Sequence, residues 1–428
     1  MALLPLALAA ILSLLCIPFV CASPPNCTST STLDISISPS SSSHTRTLCD
    51  IIQSCAATLF ACSWAAIHPN IPGMDEGRMS IFFRRLSIMV LALIAPELMV
   101  TWATMQFLSA LETANTFKEW TVTHCFFAWM GGFMLYFNGK PRAPLTPEEL
   151  EDFVDEDSVE MPVIMEAELE ALSKSDAFSK GIAILQLAWF VLQLVARYIQ
   201  NLPTTLLEID TLAVVALACI SYGLWWKKPK DVRRPYPVHW KKHYTSPPAK
   251  LTLTYERENP EFSLNGWHHY LMLVIYPLRS LMGTRVTISP LAVGECRIPS
   301  LGGYDDRDPH DRNHVITLFV GCFSAFISGG VHCFGWYYLF QGHTEQTLWR
   351  ATSLVTASAS LPLLLIFGWV ILLDVKKDSW VVRWSVATIG FIYIATRVTV
   401  IVLIVLSLQS LPAGTYDVVT WTTFVPHV

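Results

Sequence analysis

The sequence predicts an all-α protein, a polytopic transmembrane helical bundle with about eight spans after an N-terminal signal peptide. Hydrophobic residues make up 52% of the 428 residues and charged residues only 15%, and the mean hydropathy is +0.43. The apolar residues form repeated blocks of roughly 20 residues, the length of helix that crosses the hydrocarbon layer of a bilayer. Soluble, fibrous and disordered classes are therefore excluded.

The first segment predicts targeting to the secretory pathway. An apolar run ending in Val20-Cys21-Ala22 predicts a signal peptide over residues 1–22. No Lys or Arg precedes this run, which leaves an uncleaved anchor as the alternative. The localisation expected from this start is an integral membrane protein of the endoplasmic reticulum or plasma membrane.

Residues 23–47 form a Ser/Thr-rich segment that we expect in the lumen. Asn26 lies in the Asn-x-Ser/Thr pattern of a glycosylation acceptor, and that modification occurs on the lumenal side. Cys27 and Cys49 flank the segment, and an oxidising lumen would let them form a disulfide. Both features predict a glycoprotein with a lumenal N-terminus.

The candidate spans divide into three groups separated by two long loops. Transmembrane helices 1–3 are predicted within 48–138, helices 4 and 5 within 181–226, and helices 6–8 within 315–408. Pro96 and two Gly-Gly pairs interrupt these spans, which membrane helices tolerate when neighbours satisfy the freed backbone groups. The individual spans are predicted at roughly 48–67, 86–108, 120–138, 181–199, 206–226, 315–340, 352–373 and 384–408.

The distribution of positive charge tests the orientation independently. With a lumenal N-terminus, the four cytosolic loops hold 24 of the 29 Lys and Arg residues. Only Arg46, Lys118 and Arg350 fall in lumenal segments, and Arg197 and Arg397 fall inside spans. Cytosolic loops of membrane proteins carry such an excess of Lys and Arg, so the predicted orientation is strongly favoured.

The two long cytosolic loops differ in charge. Loop 139–180 is acidic, with twelve Asp or Glu and one Lys over 148–176, and we expect a solvated segment or an amphipathic helix. Loop 227–314 is basic and rich in Pro near its start, as expected beside anionic headgroups. Within it, 267–294 is either an interfacial helix or a further span. Residues 409–428 are predicted to form a lumenal tail.

Short motifs occur along most of the chain. They are Cys62-Ser63-Trp64 with His68-Pro69-Asn70-Ile71-Pro72, Ala95-Pro96-Glu97, Thr123-His124 with Met130-Gly131-Gly132-Phe133, Leu207 to Ala213 with Trp225-Trp226-Lys227-Lys228-Pro229, Gly329 to Trp336, Glu345-Gln346 with Leu348-Trp349-Arg350, and the tail from Leu411-Pro412 to Pro426-His427. As a set they resemble a large family of fungal multi-pass membrane proteins with no assigned biochemical activity. The resemblance implies a topology and a fungal source, and it implies no reaction.

Ionisable residues within the spans predict a polar pocket. Such groups cost a few kcal/mol or more in the bilayer, so each needs a partner or a function. The expected depths place most of them in the lumenal half, with Glu97 and Arg397 near the middle. The predicted pocket consists of Glu97, His124, Glu208, Asp210, His332, Trp336 and Arg397.

Structural explanations compete with a functional role for each of these residues. Glu97 and Arg397 can form a structural ion pair, and Arg197 can pair with Glu208 or Asp210 at a lumenal turn. His332 either donates to a backbone carbonyl or acts as a base or proton relay, since the unperturbed pKa of histidine lies near 6.5.

No motif identifies a reaction. The Asp305 to Asp311 loop has ligands for a divalent cation but lacks the established patterns, so no metal site is predicted. Walker A, dinucleotide-binding, serine-hydrolase and zinc-hydrolase motifs are absent from the sequence.

Two functions remain open at this point, and the cofactor is unknown. The first is binding or transport of a small solute or proton in the pocket. The alternative is a membrane-embedded enzyme of lipid, sterol or isoprenoid secondary metabolism, with Glu97 and His332 as acid–base groups. The expected partners are the lipid bilayer and an unidentified small molecule, and no nucleic acid.

Overall fold

A computed structural model of the chain describes residues 45–74, 76–172, 176–241, 312–340, 342–372, 380–412 and 414–419, with the isolated residues 247, 251 and 298. The described part is mostly helical and contains one three-stranded sheet. The predictions for the signal peptide, Asn26, Cys27, the 267–294 segment and the Asp305 to Asp311 loop fall outside the described residues.

The first helix, α1 (Leu48–Ala66), connects two polar ends of the helical bundle. At its start Arg46 forms an ion pair with Glu208, with 2.6 Å between Nη1 and Oε1. We call this the Arg46 end. Just beyond the last turn of α1, the carbonyl of His68 accepts a hydrogen bond from Nζ of the buried Lys228 (2.7 Å). We call this the Lys228 end.

The predicted span 86–108 is divided between two helices, α2 (Arg78–Ile94) and α3 (Pro96–Thr116), which are bent by 112°. Pro96 has no N–H to continue α2, and a proline disfavours helical angles in the residue before it. Accordingly Ala95 has φ −139° and ψ 68°. The chain therefore turns sharply where a continuous span was expected.

Residues midway along both helices of this bent pair contact the Lys228 end. On α2, Arg85 Nη1 contacts Asp231 Oδ1 at 2.5 Å. On α3, Gln106 Oε1 accepts a hydrogen bond from Lys228 Nζ at 3.0 Å. Because Lys228 and Asp231 are close neighbours in the chain, α2 and α3 both extend from the break at Pro96 toward the Lys228 end.

The predicted span 120–138 is not a single helix. It contains the short helix α4 (Val122–Trp129) followed by the strand β1 (Phe133–Phe137). The helix ends because Gly131 adopts φ +86°, a left-handed conformation that favours glycine and commonly terminates helices. The expectations of an all-α chain and of a transmembrane helix here are both corrected, because an aromatic-rich segment pairs as a strand.

A small sheet forms beside α4. Strand β1 pairs antiparallel with β2 (Lys140–Pro144) and parallel with β3 (Tyr236–His239), in the order β2-β1-β3. Strands β2 and β3, which were predicted in two separate cytosolic loops, are therefore joined through β1, which was predicted inside a span.

The acidic segment is folded rather than a simple loop. It forms α5 (Pro147–Asp155) and α6 (Glu166–Leu172). Leu150 and Leu169 have no exposed surface and belong to the same apolar core as α4 and β1. Of the two alternatives expected for this segment, the structure contains the helix, and a few apolar side chains among the carboxylates anchor it.

Long helices make up the rest of the described bundle. They are α7 (Asp176–Ile199), α8 (Leu206–Leu224), α9 (Arg312–His332) with a 3₁₀ turn over Cys333–Tyr337, α10 (His343–Ser358), α11 (Ser360–Leu372) and α12 (Trp380–Ser407). Helix α8 packs on α1 and α3, and α9 packs on α3, α8 and α10. Helix α12 packs mainly on α10.

Within the described residues, six helical segments are long and apolar enough to cross a membrane, or up to seven if the bent pair counts as one span. The six are Leu48–Ala66, Ser179–Ile199, Leu206–Leu224, Val315–Tyr337, His343–Trp369 and Ala387–Ser407. The apolar character of these helices supports a membrane-embedded protein.

Anchoring of the acidic segment can be tested with two leucines of α6. Leu169 is fully buried, whereas Leu172 is 53% exposed. We expect Leu169→Ala to destabilise the packing of α6 by about 2–5 kcal/mol, because truncation of a buried leucine loses contacts and leaves a cavity. Leu172→Ala, the matched control, should change it by less than about 0.5 kcal/mol.

Limited proteolysis of the detergent-solubilised protein measures this difference. Cleavage within 147–172 should accelerate in Leu169→Ala and stay at the wild-type rate in Leu172→Ala. Equal rates in all three proteins would contradict a packed acidic segment.

Candidate functional site

Arg397 occupies the break between α2 and α3. Its Nε donates to the carbonyl of Ile94 at 2.8 Å, and its Nη2 donates to the carbonyl of Leu93 at 3.4 Å. These carbonyls belong to the last turn of α2, where no following helical N–H is present to bond them. The third guanidinium nitrogen, Nη1, lies 3.9 Å from Asp210 Oδ1 on α8. One buried cation on α12 thus joins the broken helix to α8.

His332 is the second partner of Asp210. Its Nε2 lies 3.0 Å from Asp210 Oδ1, and its Nδ1 lies 2.6 Å from the carbonyl of Ser328. A carbonyl oxygen only accepts, so Nδ1 carries a hydrogen. Nε2 then forms a hydrogen bond only if a proton lies between it and the carboxylate, either on the imidazole or on Asp210. The geometry therefore requires a proton held by the His332–Asp210 pair.

Glu97 completes the group from the first turn of α3. Its Oε2 accepts a hydrogen bond from the hydroxyl of Tyr393 on α12 at 2.6 Å. Its Oε1 is buried and has no hydrogen-bond partner among the described residues. We call Glu97, Asp210, His332, Tyr393 and Arg397 the break cluster. It contains two carboxylates, one guanidinium, one imidazole and one phenol from four helices.

Tight backbone packing positions His332. Gly329, one turn earlier, lies so close to α10 that an added Cβ would come within 2.3 Å of Ala357 N. The carbonyl of His332 accepts a hydrogen bond from Trp349 Nε1 on α10 at 3.2 Å. The Gly329 to Trp336 motif is therefore explained by close contact between α9 and α10, which holds His332 facing α8.

Three residues of the predicted pocket lie outside the break cluster. Glu208 pairs with Arg46 and caps the start of α8. Trp336 lies beneath the guanidinium of Arg350, 5.1 Å from the ring centroid. His124 is at the other end of the bundle, in the α4 region.

The proposed pairing of Arg197 also differs from the expectation. Its guanidinium donates to the carbonyls of Pro203 (2.6 Å), Thr415 (3.1 Å) and Asp417 (2.7 Å) rather than bonding Glu208 or Asp210. Glu97 and Arg397 likewise share the cluster without a direct hydrogen bond between them among the contacts described, because Tyr393 bonds the carboxylate and the α2 carbonyls bond the guanidinium.

His124 and Glu166 fasten α6 to α4. His124 Nε2 contacts the carbonyl of Ile164 at 2.9 Å, and the hydroxyl of Thr123 donates to Glu166 Oε1 at 2.7 Å. The hydrogen bond from Thr123 lowers the pKa of Glu166, and the nearby ammonium of Lys227 acts in the same direction. We call these contacts the α6 clip. They give His124 a structural role.

The Lys228 end contains an unusual buried ammonium. Lys228 Nζ donates to the carbonyl of His68 (2.7 Å), to Asn70 Oδ1 (2.9 Å) and to Gln106 Oε1 (3.0 Å). Burial alone lowers the pKa of Lys228. Three acceptors for three N–H groups favour the charged form, so we take the hydrogen bonds as the stronger effect. This network explains why the Trp225 to Pro229 motif accompanies the His68 to Pro72 motif.

Sequence reasoning missed Tyr393 and the two carbonyls of α2. Tyr393 precedes Arg397 by four residues on one helix, so the two side chains share a face. That spacing is a signal that could have linked Tyr393 to the pocket. The carbonyls have no side-chain signature, and only the broken helix exposes them.

No group of three or more His, Cys, Asp or Glu residues that could hold a metal ion occurs in the described part of the chain. In comparisons with known proteins, residues 14–246 match the model of a family of unknown function, DUF8562. No curated protein and no solved structure matches the chain.

The role of Arg397 can be tested by thermal unfolding in detergent. We expect Arg397→Met to destabilise the protein by about 3–5 kcal/mol, because it leaves the α2 carbonyls without donors and Asp210 without its neighbouring cation. Arg350→Met is the matched control, since Arg350 is only partly buried and lies over an aromatic ring. It should cost about 1 kcal/mol or less. Similar midpoint shifts for the two variants would contradict the bridging role of Arg397.

The α6 clip predicts a pH dependence. The pKa of Glu166 is lower in the folded protein than in the unfolded chain, so its stabilisation is complete above the unfolded pKa of about 4.3. It is lost as the pH falls through the lowered folded value. Pepsin cleavage within 147–172 should therefore accelerate as the pH is reduced below about 4.

Glu166→Gln should remove this part of the pH dependence and raise cleavage already at pH 5. Glu170→Gln is the control, because the Glu170 side chain is 59% exposed and its ion pair with Lys227 is long, at 3.7 Å. If Glu166→Gln and wild type show the same pH profile, the carboxylate does not hold α6.

Proposed function

The chain belongs to this family of unknown function, and from its geometry we propose that it is a multi-pass membrane protein that binds a proton or a small polar solute in the break cluster. The observation that carries the proposal is a buried group of ionisable side chains gathered at a broken helix. Membrane transporters place their binding sites at such breaks, where helix ends offer unpaired backbone groups to a ligand.

The topology that we propose has six spans and one re-entrant pair. The six apolar helices cross the membrane, and α2 and α3 dip into it and return to the same side. Relative to eight spans, this removes the predicted spans 86–108 and 120–138 together. Because two spans are removed, every later segment keeps its predicted side.

The charges support the same topology. The loops assigned to the cytosol hold 24 of the 29 Lys and Arg residues. Lys118 follows α3, so the re-entrant pair moves it to the cytosolic side as well. Arg350 lies within the span His343–Trp369, so outside the spans only Arg46 then remains at the lumenal side. The bias is thus stronger for six spans than for eight.

The Arg46 end is lumenal in this arrangement. A signal peptide over 1–22, a glycan on Asn26 and a disulfide between Cys27 and Cys49 would agree with that side. We retain these features, secretory-pathway targeting and a fungal source as proposals that rest on the sequence.

The energetics favour a functional cluster. Each ionisable side chain inside a bilayer costs several kcal/mol unless it is paired. The described residues pair Arg397 and Asp210 only at 3.9 Å and leave Glu97 Oε1 without a partner. A purely structural ion pair would be expected to close these contacts. A cation, a proton or a solute with donor groups would complete them.

The His332–Asp210 pair is the proton-holding part of the cluster. Its geometry requires one proton, and loss of that proton would set the Nε2 lone pair against a carboxylate oxygen at 3.0 Å. Protonation and ligand binding are therefore coupled at this site, as expected for a proton-driven transporter or a proton pathway.

An enzyme of lipid, sterol or isoprenoid metabolism is the second candidate. The observation in its favour is again His332, which Asp210 orients as a general acid or base would be oriented. Metabolite profiling of a deletion strain distinguishes the candidates. A missing product with unchanged proton and solute flux would favour the enzyme.

The first candidate is tested with the purified full chain in lipid vesicles. An enclosed pH-sensitive dye reports proton flux under a potassium diffusion potential, and light scattering reports entry of small neutral solutes such as urea and glycerol. We expect one of these fluxes to exceed that of protein-free vesicles. His332→Ala should reduce it about tenfold or more, as for loss of a buried hydrogen-bonding group in the pathway.

His343→Ala is the matched control, because His343 is exposed at the start of α10 and lies outside the break cluster. It should leave the flux unchanged. The proposal fails if neither flux exceeds that of empty vesicles, or if His332→Ala behaves like His343→Ala while both variants remain monodisperse in detergent.

A further inference from the structure

A small cavity lies on the cytosolic side of the helix break. It has a volume of about 20 Å³ and lies among α1, α2, α3 and α8. Pro96, Ser63, Ala218, Ser221 and Trp225 are among its lining residues. We call it the serine cavity. Its volume admits about one water molecule, since a water needs at least roughly 10–15 Å³.

Two of the residues that line this cavity carry buried hydroxyls without partners. Ser63 is 2% exposed and Ser221 is 1% exposed, and the Oγ of each has no hydrogen-bond partner among the described residues. A serine within a helix ordinarily donates to a carbonyl one turn earlier, as Ser353 does to Trp349 at 2.8 Å. A buried hydroxyl without a partner costs free energy, so these two point to a hydrogen-bonding occupant.

A further unpartnered atom lies just beyond the cavity, at the Lys228 end. His68 Nδ1 donates to the carbonyl of Ala66 at 2.9 Å, and the fully buried Nε2 has no partner among the described residues. His68 directly follows Ile67, which lines the cavity, and its ring lies 5.8 Å from that of Trp225. Nε2 is therefore an acceptor without a described partner, on a ring that packs near the cavity residue Trp225.

Burial lowers the pKa of His68 well below its usual value, and the positive charges of Lys230, Lys228 and Lys180 lower it further. Tyr222 is a further titratable residue beside His68, with 6.1 Å between the centroids of the two rings. His68 is thus neutral in the resting protein, and a proton that reaches Nε2 is readily released again.

The serine cavity adjoins the break cluster through consecutive residues. Pro96 lines the cavity, and the next residue, Glu97, carries the unpartnered Oε1 of the cluster. Ser63 and Ser221 line the cavity, Glu97 follows Pro96 in the chain, and His68 follows Ile67. The unpartnered atoms therefore belong to lining residues or to their neighbours in the chain.

We propose that the ligand of the break cluster is a proton, and that the serine cavity is the water-filled path by which this proton reaches His68 and the cytosolic side. The proposal rests on the proposed function and deepens it. A path only one water wide excludes urea, glycerol and larger solutes, whereas a proton needs only a continuous set of donors and acceptors.

Each transfer step along this path is balanced. A protonated donor gives H⁺ to the water oxygen, and the water releases a different H⁺ to the next acceptor, either a serine hydroxyl or His68 Nε2. At an oxygen acceptor one O–H bond forms as another breaks. At His68 an N–H bond forms as an O–H bond of the water breaks, and no electron is transferred. His68 becomes an imidazolium and returns to its neutral form when it gives up a proton toward the cytosolic side.

Two nearly isosteric substitutions of Ser221 test the path. Ser221→Val and Ser221→Thr both fill the cavity by similar volumes, but only Thr keeps a hydroxyl. In the vesicle assay of proton flux with the full chain, we expect Ser221→Val to reduce the rate about tenfold or more, the effect of losing one buried relay group. Ser221→Thr should keep a rate several-fold above that of Ser221→Val.

The matched control is Ser353, which is equally buried but bonds within α10, away from the cavity. Ser353→Val and Ser353→Thr should have equal proton flux. Ala218→Val is a second test, because it narrows the cavity without changing a hydroxyl. It should reduce the flux several-fold even if Ser221→Val folds poorly.

The outcomes separate this inference from the proposed function. Proton flux that is lost in His332→Ala but equal in wild type, Ser221→Val and Ala218→Val would overturn the path and leave the proposed function standing. Flux of urea or glycerol without proton flux would also overturn the path. Absence of every flux from the wild-type protein would overturn both.

Discussion

The hydrogen bonds from Arg397 to the broken end of α2 are the interaction on which the rest of the arrangement depends. A helix that stops inside an apolar bundle leaves carbonyls without donors, and such groups cost several kcal/mol each in a membrane interior. Arg397 satisfies two of them with a charged donor. The same cation lies beside Asp210, whose carboxylate in turn orients His332. The helix break at Pro96 thus leaves carbonyls that require donors. Arg397 supplies those donors and also lies next to the other residues of the cluster.

Most of the helices could be predicted from apolar length alone. The structure has helices at the segments expected near 48–67, 181–199, 206–226 and 384–408. Hydropathy failed at 120–138 because a run of aromatic and aliphatic residues looks alike in a helix and in a buried strand. There, the left-handed conformation of Gly131 and pairing with two other strands decide the outcome.

The candidate site was predictable only as a set of residue types at estimated depths. Glu97, Asp210, His332 and Arg397 stand out because charge is costly in an apolar span. Their partners could not be assigned, since Arg397 bonds main-chain carbonyls that carry no residue-specific signal. Tyr393 was overlooked because a tyrosine is common in spans. His124 was misplaced because the span that was expected to bury it is a short helix at the Lys228 end.

The chain of contacts at the Arg46 end bears on the order of synthesis. Thr45 pairs with Asp417 across nearly the whole length of the described chain, and Arg197 bonds carbonyls at 415 and 417. The cation beside Asp210, Arg397, likewise lies on α12, which follows the other described helices in the chain. A nascent chain that has inserted α1 to α9 therefore holds acidic and basic groups whose partners have not yet been translated. Such an intermediate must wait, shielded by the translocon or a chaperone, until α12 emerges and closes the bundle.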